Sequence, residues 1–281
     1  MKDYISKANQ WAMDVWTRAV PNWEDRSQDH NYRDILARTG IYSALASLGQ
    51  ISNGQFLDIG CGEGAETFYI RDSLAKLGWS GKMFGYDPQS HFIAVAQGAN
   101  KSQSSIPIQF GNGSIDDFLK KYYLSKNVDL LTSIFVLQDL PDIHQYLANV
   151  DKALNETGTG IFLLVHPNFG EAMKNKDAVK LEDALNILDI DVPWSWVGEY
   201  PIVEEEGRTF FVPYFQRTID EYKNYFSKYF SQIEFVPLKP SPQEVGQSEK
   251  EHRSPFYNHS GNFYYPEIIE MESSLIIIAR R

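Results

Sequence analysis

The chain of 281 residues carries a formal net charge of −11, and 43% of its residues are hydrophobic. This length and this hydrophobic share suffice for one large domain with a sizeable core. The acidic charge argues against a general nucleic-acid binder, which needs a basic surface to displace counterions from phosphates. Cys61 is the single cysteine, which excludes an internal disulfide and a cysteine-based zinc site.

Targeting and metal-binding patterns are also missing from the sequence. The first residues lack the apolar block of a signal peptide, and no run reaches the roughly 18 apolar residues of a membrane span. No pair of histidines has zinc-ligand spacing, and no set of carboxylates indicates magnesium. We therefore expect a cytoplasmic protein with no metal, no membrane partner and no nucleic-acid partner. The sequence does not indicate the oligomeric state.

The predicted elements begin with a helical segment over residues 1–49, and from residue 54 apolar runs alternate with helical periodicity. Predicted strands cover 54–60, 82–87, 106–111, 128–137 and 160–167. Predicted helices cover 65–78, 90–100, 115–124 and 142–156. Strands that alternate with helices predict βαβ units and a mostly parallel sheet covered on both faces.

This alternation stops after residue 166. Residues 168–217 contain a predicted helix at 177–189 and two aromatic stretches, VPWSWVGEYP and TFFVPYF, which indicate an insertion folded over the sheet as a lid. A helix over 218–230 with Thr218 as N-cap follows, then a strand at 231–238, a loop at 240–262 and a last strand at 273–281. The predicted units are an N-terminal helical cap (1–49), an α/β core (50–167), the inserted lid (168–217) and a C-terminal completion of the sheet (218–281).

The stretch FLDIGCGEGA places Gly60, Gly62 and Gly64 between a predicted strand and a predicted helix. Glycines there let the backbone approach a ligand closely, and the helix start offers N–H groups to an anionic group. The spacing from Gly60 fits the G-x-G-x-x-A pattern of dinucleotide sites. Asp58 does not belong to that pattern, and as a pure hydrogen-bond acceptor it suits a ligand with donors, such as an ammonium group.

A second acid, Asp87, ends the next predicted strand, where an acidic residue commonly accepts from ribose hydroxyls. A nucleoside ligand is therefore supported twice. The segments FLDIGCGEGAETF, GYDPQSHFIAVA, IQFGNGSIDDF, VDLLTSIFVLQDLPD and LNETGTGIFLLVHP, in this order, resemble the class I S-adenosylmethionine-dependent methyltransferases, in particular their small-molecule branch. The resemblance covers about residues 30–166 well and 214–281 loosely.

The resemblance implies a fold and a first set of site residues. The fold is a doubly wound, mostly parallel seven-stranded sheet with an antiparallel last strand (Rossmann-like methyltransferase fold), an N-terminal helical segment and an inserted lid after strand five. The resemblance implies that Asp58 and the backbone at Gly60, Cys61 and Gly62 border the methionine part of S-adenosylmethionine. It implies that Asp87 accepts from the ribose hydroxyls.

Further cofactor-binding residues follow from the same resemblance. Pro88 is implied to lie near the adenine, and Phe135, at the end of the fourth strand, is implied to face the cofactor. The family segment that supplies an acid toward the adenine amine reads Gly113 and Ser114 here. This departure removes the acidic contact, although Ser114 and the amide of Ile115 could still serve.

The remaining predicted site residues have structural alternatives of their own. Tyr32 and Arg33 match a Tyr-Arg pair of the family and could hold the cofactor carboxylate, since the arginine fork pairs with carboxylates; a packed ring and a solvated charge explain them equally well. His166 is the candidate general base, unless it only shapes the turn before a proline. Gln138 and Asp139 are candidate acceptor-binding residues, and Asp139 alternatively caps the next helix.

The function that the resemblance implies is methyl transfer from S-adenosylmethionine to a small organic acceptor. One alternative is a non-methylating S-adenosylmethionine-binding enzyme of the same fold. Another is an NAD-type nucleotide-dependent oxidoreductase, and a third is a catalytically silent partner subunit. The sequence indicates neither the acceptor nor whether oxygen, nitrogen, carbon or sulfur is methylated.

Overall fold

A computed structural model describes most of the chain. The described residues are 2–23, 32–49, 53–100, 106–169, 179–180, 196–203, 209–239 and 271–281. Two predicted segments fall largely outside them, the loop at 240–262 and most of the helix at 177–189. None of the helices in these described ranges is both long and apolar enough to cross a membrane.

Helices and strands alternate through the first two thirds of the chain, as the sequence predicts. The elements are α1 (Lys2–Trp23), α2 (Tyr32–Ser47), β1 (Gln55–Ile59), α3 (Ala65–Lys76), β2 (Lys82–Tyr86), α4 (Ser90–Ala99), β3 (Ile108–Gly111), α5 (Ile115–Lys121), β4 (Val128–Ile134), a 3₁₀ turn (Leu137–Asp139), α6 (Ile143–Ala153) and β5 (Leu154–Val165). The later elements are β6 (Val179–Lys180), β7 (Trp196–Val203), β8 (Thr209–Gln216), α7 (Ile219–Phe226), β9 (Gln232–Leu238) and β10 (Ser274–Arg280).

The main sheet has seven strands in the order β3-β2-β1-β4-β5-β10-β9. Strands β1 to β5 run parallel, and β10 pairs antiparallel with both β5 and β9. The predicted seven-stranded sheet with an antiparallel last strand is therefore confirmed. The chain order reverses between β1 and β4, and ligands of open α/β sheets bind at such a reversal, outside the carboxyl ends of the strands.

Two hydrophobic clusters cover the two faces of this sheet. Phe56 belongs to the cluster that packs α2, α3 and α4 against the sheet. The next residue, Leu57, belongs to the cluster that packs α5, α6 and α7 on the opposite face. Because successive side chains of a strand point to opposite faces, a strand between two helical layers must be apolar throughout. This explains the continuous apolar runs in the sequence.

A smaller antiparallel sheet, in the order β6-β7-β8, follows β5. Helix α1 packs against it, with the ring of Trp11 edge-on to Phe215 at a centroid distance of 5.7 Å. Ala8, Ala12 and Val197 complete this buried contact. The N-terminal helix and the inserted strands therefore share a hydrophobic cluster separate from the two clusters of the main sheet.

The structure corrects two of the predicted elements and confirms a third. Residues 179–180 were predicted to be helical but form β6, since pairing with β7 outweighs the weak helical propensity of Val179. Helix α6 ends at Ala153 rather than at 156, because Leu154 already pairs with Val128 at the start of β5. The predicted N-cap at Thr218 is confirmed, and Glu221 completes a capping box with it.

Candidate active site

A cavity of about 250 Å³ lies at the carboxyl ends of β1, β2 and β4, where the strand order reverses. The turn after β1 and the ends of β2 and β4 form part of its lining. The 3₁₀ turn after β4, helices α1 to α4 and strands β5 and β8 contribute further lining residues. Elements from distant parts of the chain therefore meet around one cavity.

The glycine turn after β1 contributes backbone to this cavity. The amides of Gly60 and Cys61 both donate to the carbonyl oxygen of Tyr86, at 2.7 and 3.1 Å, which fixes the turn against the end of β2. Gly60 has a φ of +80°, and a Cβ there would collide with Val136. Gly62 has a φ of +53°, and a Cβ there would meet no protein atom within 4 Å. Packing thus requires glycine at Gly60, whereas Gly62 leaves open space.

Asp58 is buried at the end of β1 and lines the cavity. Its two carboxylate oxygens accept hydrogen bonds from the hydroxyls of Thr67, at 2.6 Å, and Thr132, at 2.8 Å. Burial raises the pKa of Asp58 to about 6, and the two threonine hydrogen bonds oppose that rise. The carboxyl group is therefore held in one orientation between α3 and β4.

Asp87 fixes the turn from the other side. Its Oδ2 accepts from the amide of Gly62 at 3.0 Å, and its Oδ1 accepts from the amide of Gln89 at 2.9 Å. Burial raises the pKa of Asp87 to about 6, with a smaller contribution from the charge of Asp58. Each carboxylate oxygen can accept more than one hydrogen bond, so Asp87 retains acceptor capacity toward the cavity that it lines.

Three other residues predicted to bind the cofactor also line the cavity, namely Cys61, Pro88 and Phe135. Burial raises the pKa of the Cys61 thiol well above its ordinary value, which keeps the thiol protonated. Phe135 adopts a φ of +55°, which is rare for a residue with a side chain. Its amide donates to the carbonyl of Leu163 at 2.7 Å, and such backbone outliers concentrate at functional sites.

Four of the predicted cofactor residues are not seen at the cavity. Ser114 is exposed and caps α5 by accepting from the amide of Asp117 at 3.4 Å. Neither Ser114 nor Ile115 is among the residues that line the cavity. Tyr32 and Arg33 are the first two residues of α2, and their side chains lie outside the described part of the structure.

The 3₁₀ turn after β4 carries both predicted acceptor-binding residues into the cavity lining. Gln138 and Asp139 are 5% and 7% exposed. The Nε2 of Gln138 donates to the carbonyl of Phe135 at 2.5 Å and to Oδ1 of Asp139 at 3.0 Å. These contacts orient the two polar side chains toward each other in an otherwise apolar part of the lining.

His166, the predicted general base, lies outside the cavity lining. It is 1% exposed, and its Nδ1 accepts from the amide of Asn168 at 3.2 Å. Its Nε2 lies 3.3 Å from a carboxylate oxygen of Glu272. Burial lowers the pKa of His166, and the charge of Glu272 opposes that shift. Since Nδ1 accepts, Nε2 carries the proton and donates to Glu272.

Several lining residues were not identified from the sequence. Arg38 of α2 donates from Nε and Nη2 to the carboxylate of Glu66 in the first turn of α3, with the shortest distance at 2.8 Å. Helix α1 contributes Met13 and Trp16, and β8 contributes Val212 and Tyr214. These residues carry no motif, and only tertiary structure brings them to the glycine turn. Among the described residues, no group of three His, Cys, Asp or Glu side chains is arranged to hold a metal.

Comparisons with known proteins identify the class. Residues 51–210, more than half of the chain, match a family model described as a methyltransferase domain. An S-adenosylmethionine-dependent methyltransferase from Mesorhizobium loti has a similar structure, with a TM-score of 0.53 and 18% identity over 85% of this chain and 96% of that one. A second similar structure, described as the same kind of enzyme from Listeria monocytogenes, has a TM-score of 0.55 and 19% identity over 88% of this chain and 98% of that one.

A third similar structure is a geranyl diphosphate C-methyltransferase from Streptomyces coelicolor, with a TM-score of 0.53 and 12% identity over 86% of this chain and 76% of that one. At these identities the structural similarity shows a shared fold. No curated protein sequence matches the chain. The chain belongs to the methyltransferase domain family, and it is a methyltransferase. The oxidoreductase alternative is therefore not supported.

Proposed function

We propose that this methyltransferase acts on a small organic acceptor bound in the cavity beside the cofactor. One cavity with two unlike walls carries the proposal. The cofactor wall consists of Asp58, residues 60–62 and Asp87, and the acceptor wall consists of Met13, Trp16, Val212 and Tyr214. A partly apolar cavity of about 250 Å³ suits a small molecule rather than a polymer.

The residues of the cofactor wall fit S-adenosylmethionine. The open space beside Gly62 admits a ligand close to the backbone, and Asp87 can still accept hydrogen bonds from ribose hydroxyls. Asp58 offers a negative charge to an ammonium group. Pro88 and Phe135 would pack against the bound cofactor. Tyr32, Arg33, Ser114 and Ile115 stay as predicted contacts.

The protein's part in the reaction is positioning and exclusion of water. Bound S-adenosylmethionine supplies a methyl group already activated by the positive charge on its sulfur, so no covalent intermediate with the protein is needed. Gln138 and Asp139 would orient the acceptor, and the apolar side chains of Trp16 and Val212 would keep water from the reacting atoms. A general base is useful only for an acceptor that must lose a proton.

The predicted units fit this arrangement. We propose that the helical cap (1–49) and the inserted lid (168–217) cover the core (50–167), which the last segment (218–281) completes. The packing of Trp11 on Phe215 supports this, because it couples α1 to β8 beside the cavity. The ring of Trp16 also lies edge-on to Phe92 of α4 at a centroid distance of 6.2 Å, so α1 contacts the core as well.

The first test is calorimetric titration of the purified chain with S-adenosylhomocysteine, with NAD as the control ligand. We expect binding of S-adenosylhomocysteine alone. Asp87→Ala should weaken it by about 10- to 100-fold, since a charge-assisted contact to the ribose is lost. Asp116→Ala, at an exposed acid paired with Lys152, is the matched control and should bind normally.

Two other outcomes would change the proposal. Equal binding by the Asp87 variant and the wild type would remove Asp87 from the cofactor site. Tight binding of S-adenosylhomocysteine without methyl transfer to any nucleophile would favour the non-methylating alternative of the same fold.

A further inference from the structure

We propose that the acceptor is an amine with an apolar body, held through its N–H groups by Gln138 and Asp139, and that carboxylates and phosphates are rejected. This inference rests on the proposed function, because it assigns an acceptor class to the same cavity. Three observations support it: the orientation of the Gln138 amide, the charges in the cavity lining and the apolar side chains around them.

The orientation of the Gln138 side chain is determined by its neighbours. Its Nε2 lies 2.5 Å from the carbonyl oxygen of Phe135 and 3.0 Å from Oδ1 of Asp139. A carbonyl can only accept hydrogen bonds, and so can an ionised carboxylate, so a reversed amide would set three oxygens against each other. The Oε1 of Gln138 is therefore the atom left over.

This Oε1 atom is buried and has no hydrogen-bond partner among the described residues. A buried carbonyl oxygen without a donor carries a desolvation cost, which a ligand donor would remove. Gln138 as a whole is 5% exposed and lines the cavity. Oε1 has no accessible surface of its own, so a ligand that brings an N–H or O–H group to this end of the cavity reaches it once the side chain of Gln138 shifts.

Asp139 adds a second acceptor beside the first. Asp139 is 7% exposed and lines the cavity, and its Oδ1 accepts a hydrogen bond from Nε2 of Gln138. The 3₁₀ turn fixes its backbone, since its amide donates to the carbonyl of Val136 at 2.9 Å. An amine, with two or three N–H groups, can serve both an amide oxygen and a carboxylate, whereas a hydroxyl has a single hydrogen to donate.

The charges of the lining select the same class. Among the described residues, the acidic and basic side chains of the lining are Asp58, Glu63, Glu66, Asp87, Asp139 and Arg38. Arg38, the one cation in this described set, is engaged by Glu66 through a forked contact. Arg217 lies outside the lining and donates to the carbonyl oxygens of Leu140, Pro141 and Phe215. The described charges therefore make the field in the cavity negative, which opposes an anionic acceptor and favours an ammonium group. The nitrogen of that group must release one proton before it can take the methyl group, and the carboxylate of Asp139 is the proton acceptor beside it.

The rest of the lining fits an apolar body. Met13 and Trp16 come from α1, Phe92 from α4, and Val212 from β8. None of these side chains carries a charge, and together they present one aromatic indole, one phenyl ring and two aliphatic groups. An aryl-alkyl amine matches both ends of the cavity, with the ring against these side chains and the amine toward Gln138.

The test uses pairs of probes with the same shape and opposite charge, tryptamine against indole-3-propionate and phenethylamine against 3-phenylpropionate. Each is titrated by calorimetry into the full chain saturated with S-adenosylhomocysteine. We expect the amine of each pair to bind at least about tenfold more tightly than its acid, as one charge-assisted hydrogen bond provides.

Two variants assign the preference to residues. Gln138→Met keeps the side-chain length without the oxygen, and Asp139→Asn keeps the shape without the charge; each should reduce the amine preference to about threefold or less. Gln145→Met, on the exposed face of α6, is the matched control and should retain it. All three variants should bind S-adenosylhomocysteine as the wild type does, which shows that the cofactor wall is intact.

The outcomes separate this inference from the proposed function. Normal binding of S-adenosylhomocysteine together with equal or tighter binding of the acids, or with no binding of either amine, would overturn the acceptor class alone. An unchanged preference in both variants would remove Gln138 and Asp139 from acceptor recognition. No binding of S-adenosylhomocysteine at all would instead overturn the proposed function.

Discussion

The two walls of the cavity are built in different ways. The cofactor wall consists of backbone atoms and two aspartates whose carboxylates are held by hydrogen bonds. Asp87 accepts from the amide of Gly62, and Asp58 accepts from two threonine hydroxyls. The proposed acceptor wall uses side chains from α1 and β8, two elements about 200 residues apart in the sequence that pack together through a hydrophobic cluster of their own. The cofactor wall lies at the carboxyl edge of the main sheet, and α1 of the acceptor wall packs against the core through Trp16 and Phe92.

This difference suggests how the site divides its tasks. A site with a fixed ligand benefits from a preorganised backbone, since little ordering is needed when the ligand binds. An acceptor pocket made of exchangeable side chains can change its specificity without disturbing the sheet. Substitutions in the cofactor wall should therefore affect folding or cofactor affinity, and substitutions in the acceptor wall should affect acceptor choice.

The largest expected effect is a difference in stability between alanine variants at two glycines of the same turn. Gly60→Ala should lower the free energy of unfolding by about 2–5 kcal/mol, because the new methyl group meets Val136 at a backbone φ of +80°. Gly62→Ala should cost only about 1 kcal/mol of stability, since its Cβ meets no protein atom. The same variant should weaken S-adenosylhomocysteine binding by about tenfold, because the methyl group fills space left to the ligand.

Chemical denaturation and calorimetric titration measure these two quantities. Equal losses of stability in both variants would show that the turn is constrained uniformly and that Gly62 has no special relation to the ligand. Gly78 lies in the turn after α3 with a φ of +90°, and a Cβ there would meet no atom within 4 Å. Gly78→Ala is therefore the control for the cost of placing alanine at a positive φ.

A smaller effect is expected from pH. Asp58 and Asp87 have a pKa of about 6 in the folded chain, against 3.8 for an ordinary aspartate. Between these values the folded state holds protons that the unfolded state has released, so this contribution makes the ligand-free chain less stable as the pH rises from about 4 to 6. Ribose hydroxyls prefer the ionised Asp87, so affinity for S-adenosylhomocysteine should rise over the upper part of this range.

Calorimetry between about pH 5 and pH 7 should show S-adenosylhomocysteine binding about tenfold weaker at the lower pH than at the higher. Asp87→Asn should remove part of this pH dependence of the affinity, and the part that remains is due to Asp58. An affinity independent of pH in the wild type would mean that neither carboxyl group changes protonation when the ligand binds.

The contrast between the walls also explains what could be predicted from the sequence. The turn with Gly60 and Gly62, and the acids Asp58 and Asp87, lie within about thirty residues at strand ends, so a local pattern locates them. The alternation of strands and helices along the chain predicted the mostly parallel sheet covered on both faces. These predictions depend on residues that are close together in the sequence, so a single sequence is enough to make them.

The acceptor wall could not be predicted in this way. Trp16 and Tyr214 lie about 200 residues apart, and nothing in either segment indicates that they share a cavity. The strand at Val179 was missed because its pairing with β7 is a tertiary contact. The resemblance implies that Ser114 serves at the adenine, and the structure shows that it caps α5, so its contact with the cofactor stays a prediction.

The smallest expected effect concerns His166, which directly follows β5 and lies outside the cavity lining. Its amide donates to the carbonyl of Ser273, and its ring links Asn168 with Glu272. His166→Asn keeps an acceptor near the Asn168 amide, so we expect a loss of about 1 kcal/mol of stability, from one hydrogen bond, and turnover within about threefold of the wild type. Turnover is measured with the amine probe that is methylated fastest.

A general base in the reaction would give a different result, a fall in kcat of about a hundredfold or more with unchanged cofactor affinity. Glu272→Gln distinguishes the two, because it removes the carboxylate from the ring without touching the cavity. If His166 only holds the turn, both variants should change stability and leave the pH profile of kcat alone. If the fall of kcat at low pH disappears in His166→Asn, His166 is the base, and the reacting centre extends to the end of β5.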